Sequence, residues 1–97
     1  MIKSFANDST RDIFDGVNSK RARRILDQKL FLIARRKLDM IDASIDLNDL
    51  KLPPSNHLET LKGDLKGMNS IRINGKYRIV FRWSNRNAEE VEITDYH

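Results

Sequence analysis

The run Pro53-Pro54-Ser55-Asn56 divides this chain into two stretches with different hydrophobic rhythms. Neither proline donates a backbone hydrogen bond, and each pushes the residue before it toward extended geometry, so neither a helix nor a central strand continues through them. Upstream, Leu26, Leu30, Ile33, Ala34, Leu38, Ile41 and Ile45 recur at the spacing of one helix face. Downstream, Ile71, Tyr77, Ile79, Phe81 and Trp83 recur at the spacing of one strand face. Helices followed by a run of antiparallel strands define an α+β domain with two or three helices on one face of a sheet of four to five strands.

Taken in order, residues 2–5 alternate apolar and polar and are expected to form a first strand. Ser9 with Asp12 resembles a capping box, and Gly16 is placed to stop the short helix that it starts. Residues 19–43 carry the apolar stripe and are expected to form one long helix; Lys20 and Arg21 in its first turn oppose the helix dipole, which favours a start nearer Arg23 or a ligand facing those charges. One further helical turn, with Asp46 at its start, precedes the prolines. Residues 57–62 then read as a strand with His57, Glu59 and Leu61 on one side, and Gly63 and Gly67 flank a turn.

Asn74-Gly75 marks the central hairpin. A two-residue turn there would pair Arg72 with Tyr77 and divide the apolar residues between both faces. A three-residue loop of Ile73, Asn74 and Gly75 instead pairs Ile71 with Tyr77 and gathers Ile71, Tyr77, Ile79, Phe81 and Trp83 together. That register is expected, and it sends Ser70, Arg72, Arg78, Val80 and Arg82 to the other face as a cationic platform for phosphates. Asn85 to Asn87 forms a polar turn, and residues 89–96 make the last strand, with Val91 and Ile93 inward. The aromatic residues Tyr77, Phe81 and Trp83 are assigned to the core rather than to base stacking.

At 97 residues, a single domain spanning 1–97 is expected, because domains typically run to about 100–150 residues. The chain has no cysteine, which excludes disulfides and thiolate metal sites, and only His57 and His97 remain as strong transition-metal ligands. No metal or other cofactor is expected. No apolar run reaches the roughly 18 residues of a membrane span and no secretory leader is recognisable, so a cytoplasmic protein without a membrane partner is the simplest expectation. Charge is unevenly placed: basic residues crowd positions 20–37 and 62–86, with acids concentrated between. This distribution fits a polyanionic partner and equally a solvated helix face with a cationic strand surface.

The sequence closes on Asp95-Tyr96-His97, a triplet for which folding alone supplies no reason. Histidine titrates near pH 6.5 and moves protons at neutral pH; aspartate and tyrosine add an acceptor and a donor, and Arg78 adds permanent positive charge. These groups match the needs of RNA cleavage by its own 2′-hydroxyl: a base for the hydroxyl, an acid for the departing 5′-oxygen, and a cation for the charged phosphorane.

The ordered set Met1-Ile2-Lys3-Ser4-Phe5, Leu50-Lys51-Leu52-Pro53-Pro54-Ser55-Asn56, Leu61-Lys62-Gly63-Asp64, Ser70-Ile71-Arg72-Ile73, Tyr77-Arg78-Ile79-Val80-Phe81 and Asp95-Tyr96-His97 resembles the HigB-like branch of the RelE and ParE toxin superfamily. The resemblance implies a RelE-like fold and a ribosome-dependent, metal-independent endoribonuclease that cuts mRNA. It also implies neutralisation by a helix-turn-helix, HigA-like antitoxin, through which alone operator DNA would be met. On this likeness Asp95, Tyr96 and His97 supply acid-base groups, while Arg78 and Lys62 hold the scissile phosphate. Where some relatives carry a catalytic histidine this chain has Glu59, so either Glu59 or His57 is expected to take that role. Arg72, Arg82, Lys66, Lys76, Arg23 and Arg24 are candidate RNA contacts. The alternatives are a non-catalytic gyrase inhibitor of the ParE kind and a basic module that binds RNA without cutting it.

Overall fold

The computed structural model describes residues 1–95, leaving Tyr96 and His97 outside the described residues. Three helices, α1 (Asp8–Phe14), α2 (Lys20–Ile25) and α3 (Phe31–Ala43), precede four strands, β1 (Glu59–Thr60), β2 (Met68–Arg72), β3 (Tyr77–Ser84) and β4 (Asn87–Asp95). The strands form one antiparallel sheet in the order β1-β2-β3-β4, as the α+β reading anticipated. The core lies between the helices and one sheet face: Ala34, Leu38 and Ile41 of α3 join Ile71, Ile79, Phe81, Val91 and Ile93 in one buried cluster with Ile13 and Leu26.

Residues 2–5 do not form a strand of their own. They lie parallel to the outer edge of β4 through bridges at Ile2–Ala88 and Phe5–Val91, and the Ile2 amide donates to Asp42 Oδ1 at 2.9 Å. Two features of β4 receive them: Glu90 sits in a bulge at φ 54, and its amide donates to Ser4 Oγ at 2.9 Å. The segment thus covers backbone groups that an open sheet edge would leave unpaired.

α1 is capped by Asn7, whose side chain accepts from the Thr10 amide at 2.8 Å, and not by Ser9. Gly16 ends it in a left-handed turn at φ +77, which favours glycine, and a Cβ there would meet the movable end of the Arg35 side chain at 3.0 Å. Asp12, the other half of the expected capping box, faces away from the cap. Its carboxylate accepts from Ser19 Oγ and Arg21 Nε at 2.6 Å each and from Arg21 Nη2 at 3.1 Å. These bonds, the Arg21 fork first and the Ser19 hydroxyl second, lower the Asp12 pKa to about 2.

The expected long helix over residues 19–43 is broken. Ser19 caps α2 from the Ala22 amide, so the helix begins at Lys20 despite its basic first turn, with the Arg21 charge met by Asp12. Leu26 then swings out to φ −152, and the Asp27 side chain accepts from the Lys29 amide to open a 3-10 turn, Gln28–Leu30, that leads into α3. A local side-chain acceptor here wins over helix propagation. Ile33 and Ile45, assigned inward by period, are 39% and 65% exposed, and Lys37 takes an inward position instead, at 7% exposure. After α3, Asp46 and Asp49 make a reciprocal capping box on the 3-10 turn Leu47–Lys51, and the prolines follow through a cis Leu52–Pro53 bond.

The hairpin register also differs from expectation. Ile71 pairs with Ile79 and Arg72 with Arg78, and the loop is Asn74-Gly75-Lys76, closed by Asn74 Oδ1 accepting from the Lys76 and Tyr77 amides at 2.9 and 2.8 Å. Because the shift is even, every side chain keeps the face anticipated for it, and Ile73, opposite Tyr77, joins the core face.

Candidate active site

The outer sheet face, opposite the helices, is built in cross-strand rows. Glu59, Ser70, Val80 and Glu92 stand side by side across the four strands, and Arg72, Arg78 and Thr94 form the next row. Two arginines directly opposite one another repel, so the arrangement requires acceptors nearby. Ser70 Oγ accepts from Arg78 Nε at 2.8 Å, the His57 carbonyl accepts from Arg78 Nη2 at 2.6 Å, and Glu59 Oε2 lies 4.0 Å from that Nη2. The Arg78 side chain is only 6% exposed, whereas that of Glu59 is 51% exposed. The face is therefore no open cationic platform. It is a mixed surface in which a nearly buried guanidinium stands behind an accessible carboxylate.

His57 does not belong to the strand. It caps the 3-10 turn Pro54–Asn56 in the left-handed region, φ 45 and ψ 55, with its side chain exposed, and it meets Arg78 through its backbone. β1 is correspondingly short, Glu59–Thr60, because the left-handed residue turns the chain just before it. Lys62 is exposed at the start of the turn Gly63–Leu65, and Lys66 is exposed where that turn ends. Arg72 is half-buried beside Arg78, and Arg82 is exposed and paired with Glu90 at 3.3 Å.

The carboxyl-terminal end of β4 reaches this region through Thr94, which stands opposite Arg78. Asp95 stands opposite Tyr77 and so starts from the alternate face; its carboxylate lies 3.8 Å from Lys76 Nζ, and Lys76 in turn sits 5.3 Å over the Tyr77 ring. Tyr96 and His97, the other two members of the expected triplet, lie outside the described residues. Arg23 and Arg24 are exposed on α2, away from the sheet rows; Arg23 Nη1 donates to Asn18 Oδ1 at 2.7 Å. A cavity of about 200 Å³ between the α1–α2 turn and α3 is lined by Ile13, Gly16, Val17, Asn18, Phe31, Leu32 and Arg35, and contains none of the expected site residues.

Two residues that sequence reasoning passed over support this site from behind. Lys37 donates to Asn56 Oδ1, and Asn56, fully buried, donates through Nδ2 to the Leu50 and Leu52 carbonyls at 3.2 and 3.3 Å. The signal for Lys37 was present, since it falls among Ala34, Leu38 and Ile41 on the inward stripe of α3. For Asn56, in a proline-broken loop, no periodicity exists to reveal it.

The architecture, a four-stranded antiparallel sheet covered by helices on one face, has a solved counterpart. A YoeB–YefM complex from Staphylococcus aureus superposes with a TM-score of 0.61 over 100% of this chain and 98% of the matched chain, at 18% identity, which is a likeness of fold. At the sequence level, residues 3–97 match the model of the RelE-like toxin of the type II toxin-antitoxin system HigB, and the chain belongs to that HigB-like toxin family. It is 50% identical over 48 residues to Toxin HigB-1 of Vibrio cholerae, covering 50% of each chain. Against the Endoribonuclease HigB of Proteus vulgaris it is 30% identical over 102 residues, covering 100% of both. The matched stretch spans half the length of the Vibrio relative and 65% of a 39%-identical Haemophilus influenzae protein.

Proposed function

We propose that the chain is a toxin that acts as an endoribonuclease on messenger RNA engaged by the ribosome, with side chains and no metal performing the proton transfers. The observation that carries this reading is the meeting of the accessible Glu59 carboxylate with the Arg78 guanidinium, 4.0 Å apart on one sheet face, just before the Leu61-Lys62-Gly63-Asp64 turn. Support comes also from the full-length Proteus relative, whose name is that of an endoribonuclease.

Glu59 takes the proton of the 2′-hydroxyl, whose oxygen attacks the adjacent phosphorus. Arg78 and Lys62 offset the negative charge that builds on the phosphorane, the first from a largely desolvated position where its field is weakly screened. The bond to the 5′-oxygen breaks as that oxygen receives a proton from the terminal group Asp95, Tyr96 and His97, leaving a cyclic phosphate. Arg72, Arg82, Lys66 and Lys76 bind the RNA backbone, and the basic helix bearing Arg23 and Arg24 meets ribosomal RNA. A helix-turn-helix antitoxin of the HigA kind neutralises the toxin and alone contacts operator DNA, and the site of action is the cytoplasm.

Primer extension on messages in a translating extract tests the reading. Wild-type protein is expected to leave codon-linked cuts, and Glu59→Gln to slow cutting by about 10²- to 10⁴-fold, the usual worth of one general base. His57→Ala, which keeps the carbonyl that Arg78 uses, is expected to cut at the wild-type level. Intact messages with folded wild-type protein would overturn the nuclease reading, and DNA damage in their place would point to gyrase.

A further inference from the structure

The chain commits two buried polar side chains to the segment that leads into the site, where an apolar pair would fill the space. Lys37 exposes 7% of its surface and donates to Asn56 Oδ1, and burial lowers its pKa from the ordinary lysine value. Asn56 exposes none of its surface, and its amide group joins α3 to the Leu50 and Leu52 carbonyls on the far side of the loop. Desolvating an ammonium group opposes folding, and hydrophobic replacements for buried charges are often neutral or stabilising. A buried hydrogen-bonded network, in contrast, favours one arrangement of the chain around it.

The arrangement selected here is the approach to Glu59. Asn56 is followed by His57 at φ 45, whose carbonyl is taken by Arg78 Nη2 at 2.6 Å, and then by Leu58 and Glu59, whose carboxylate lies 4.0 Å from the same nitrogen. The segment is thus pinned from the helix layer by Lys37 through Asn56, and from the sheet by Arg78. We propose that Lys37 and Asn56 are positioning residues: their buried hydrogen bond sets where residues 57–59 cross Arg78, and so where the Glu59 carboxylate meets RNA. The proposal rests on the nuclease reading above and adds to it two residues that touch no substrate.

The test is a cycle of Lys37→Met, Glu59→Gln and the double variant, compared for kcat and KM on programmed ribosomes, with amide hydrogen exchange measured on each. A displacement of about 1 Å at a catalytic group costs about 10²-fold in rate. Lys37→Met is therefore expected to lower kcat by that order with KM unchanged, since the basic residues that bind RNA are untouched. The double variant is expected to be no slower than the slower single variant, and amide exchange is expected to quicken at Glu59 and Leu61, whose pairing with β2 holds the segment. Losses that multiply in the double variant, or a raised KM with kcat unchanged, would overturn the proposal. Unchanged exchange at Glu59 and Leu61 would overturn it whatever happens to cutting, whereas a wild-type protein that cuts nothing would count against the nuclease reading and leave the exchange result to decide the positioning role. If Lys37→Met does not fold, Asn56→Asp, which keeps the acceptor for Lys37 and loses the donors to Leu50 and Leu52, carries the same cycle.

Discussion

Arg78 has two roles in one side chain: it supplies charge, and it ties the loop before β1 to the sheet. Arg78→Ala removes the donor to the fully buried Ser70 Oγ and to the part-buried His57 carbonyl, and a buried polar group so orphaned costs about 1–3 kcal/mol. A loss of about 2–4 kcal/mol in urea unfolding is expected. Arg78→Lys keeps the charge but not the planar fork that serves both acceptors, so it is expected to recover part of the stability while cutting stays depressed by about 10²-fold or more. Asp12 makes a second, separable prediction. Its folded pKa of about 2 lies below the ordinary 3.8, so its contribution is complete above 3.8 and disappears as pH falls toward 2. Asp12→Asn should be less stable than wild type at neutral pH and should lose this acid-dependent slope in unfolding midpoints measured across that window. Neither role was readable from residue type alone. Arg78 was marked as a cation on the outer face, but its burial depends on a loop that folds back from residue 57, and no periodicity records a loop.

Among the elements, hydrophobic period placed most of the stripe inward as found, misplaced Ile33 and Ile45, and gave no sign of breaks. Leu26, Ala34, Leu38 and Ile41 are all buried, as the stripe requires, yet the helix over residues 19–43 is interrupted at Leu26 and Asp27. A stripe is unchanged by a short 3-10 turn that returns the chain to the same side, so the apolar pattern could not reveal the interruption. The hairpin is similar. Side-chain parity excluded odd registers, but an even slip leaves every residue on its face, and the choice between even registers fell to the Asn74 side chain. Asn74→Ala removes both of its bonds to the loop amides, and a loss of about 1–2 kcal/mol is expected by thermal or urea unfolding. Weakened protection of the Lys76 and Tyr77 amides would accompany it.

At the scale of the whole molecule, the net charge of +4 is spread over surfaces of different character. The outer sheet face mixes acids with its arginines, while Lys62 and Lys66 stand exposed at either end of the adjoining turn. If Lys62 contacts a phosphate of single-stranded RNA, Lys62→Ala should flatten the slope of log affinity against log salt by about 0.7. An unchanged slope would remove Lys62 from the RNA path. The layered α+β architecture was legible because it follows from the order of periodicities, whereas of the terminal triplet only Asp95 lies among the described residues, and it begins from the Tyr77 side of the sheet.

Ser4 and Glu90 are joined across 86 residues, and the amino-terminal segment closes the flank of the last strand. A tether between positions so distant in the sequence carries a high closure entropy, so the flank made by residues 2–5 is expected to peel away before the β2–β3 pairing does.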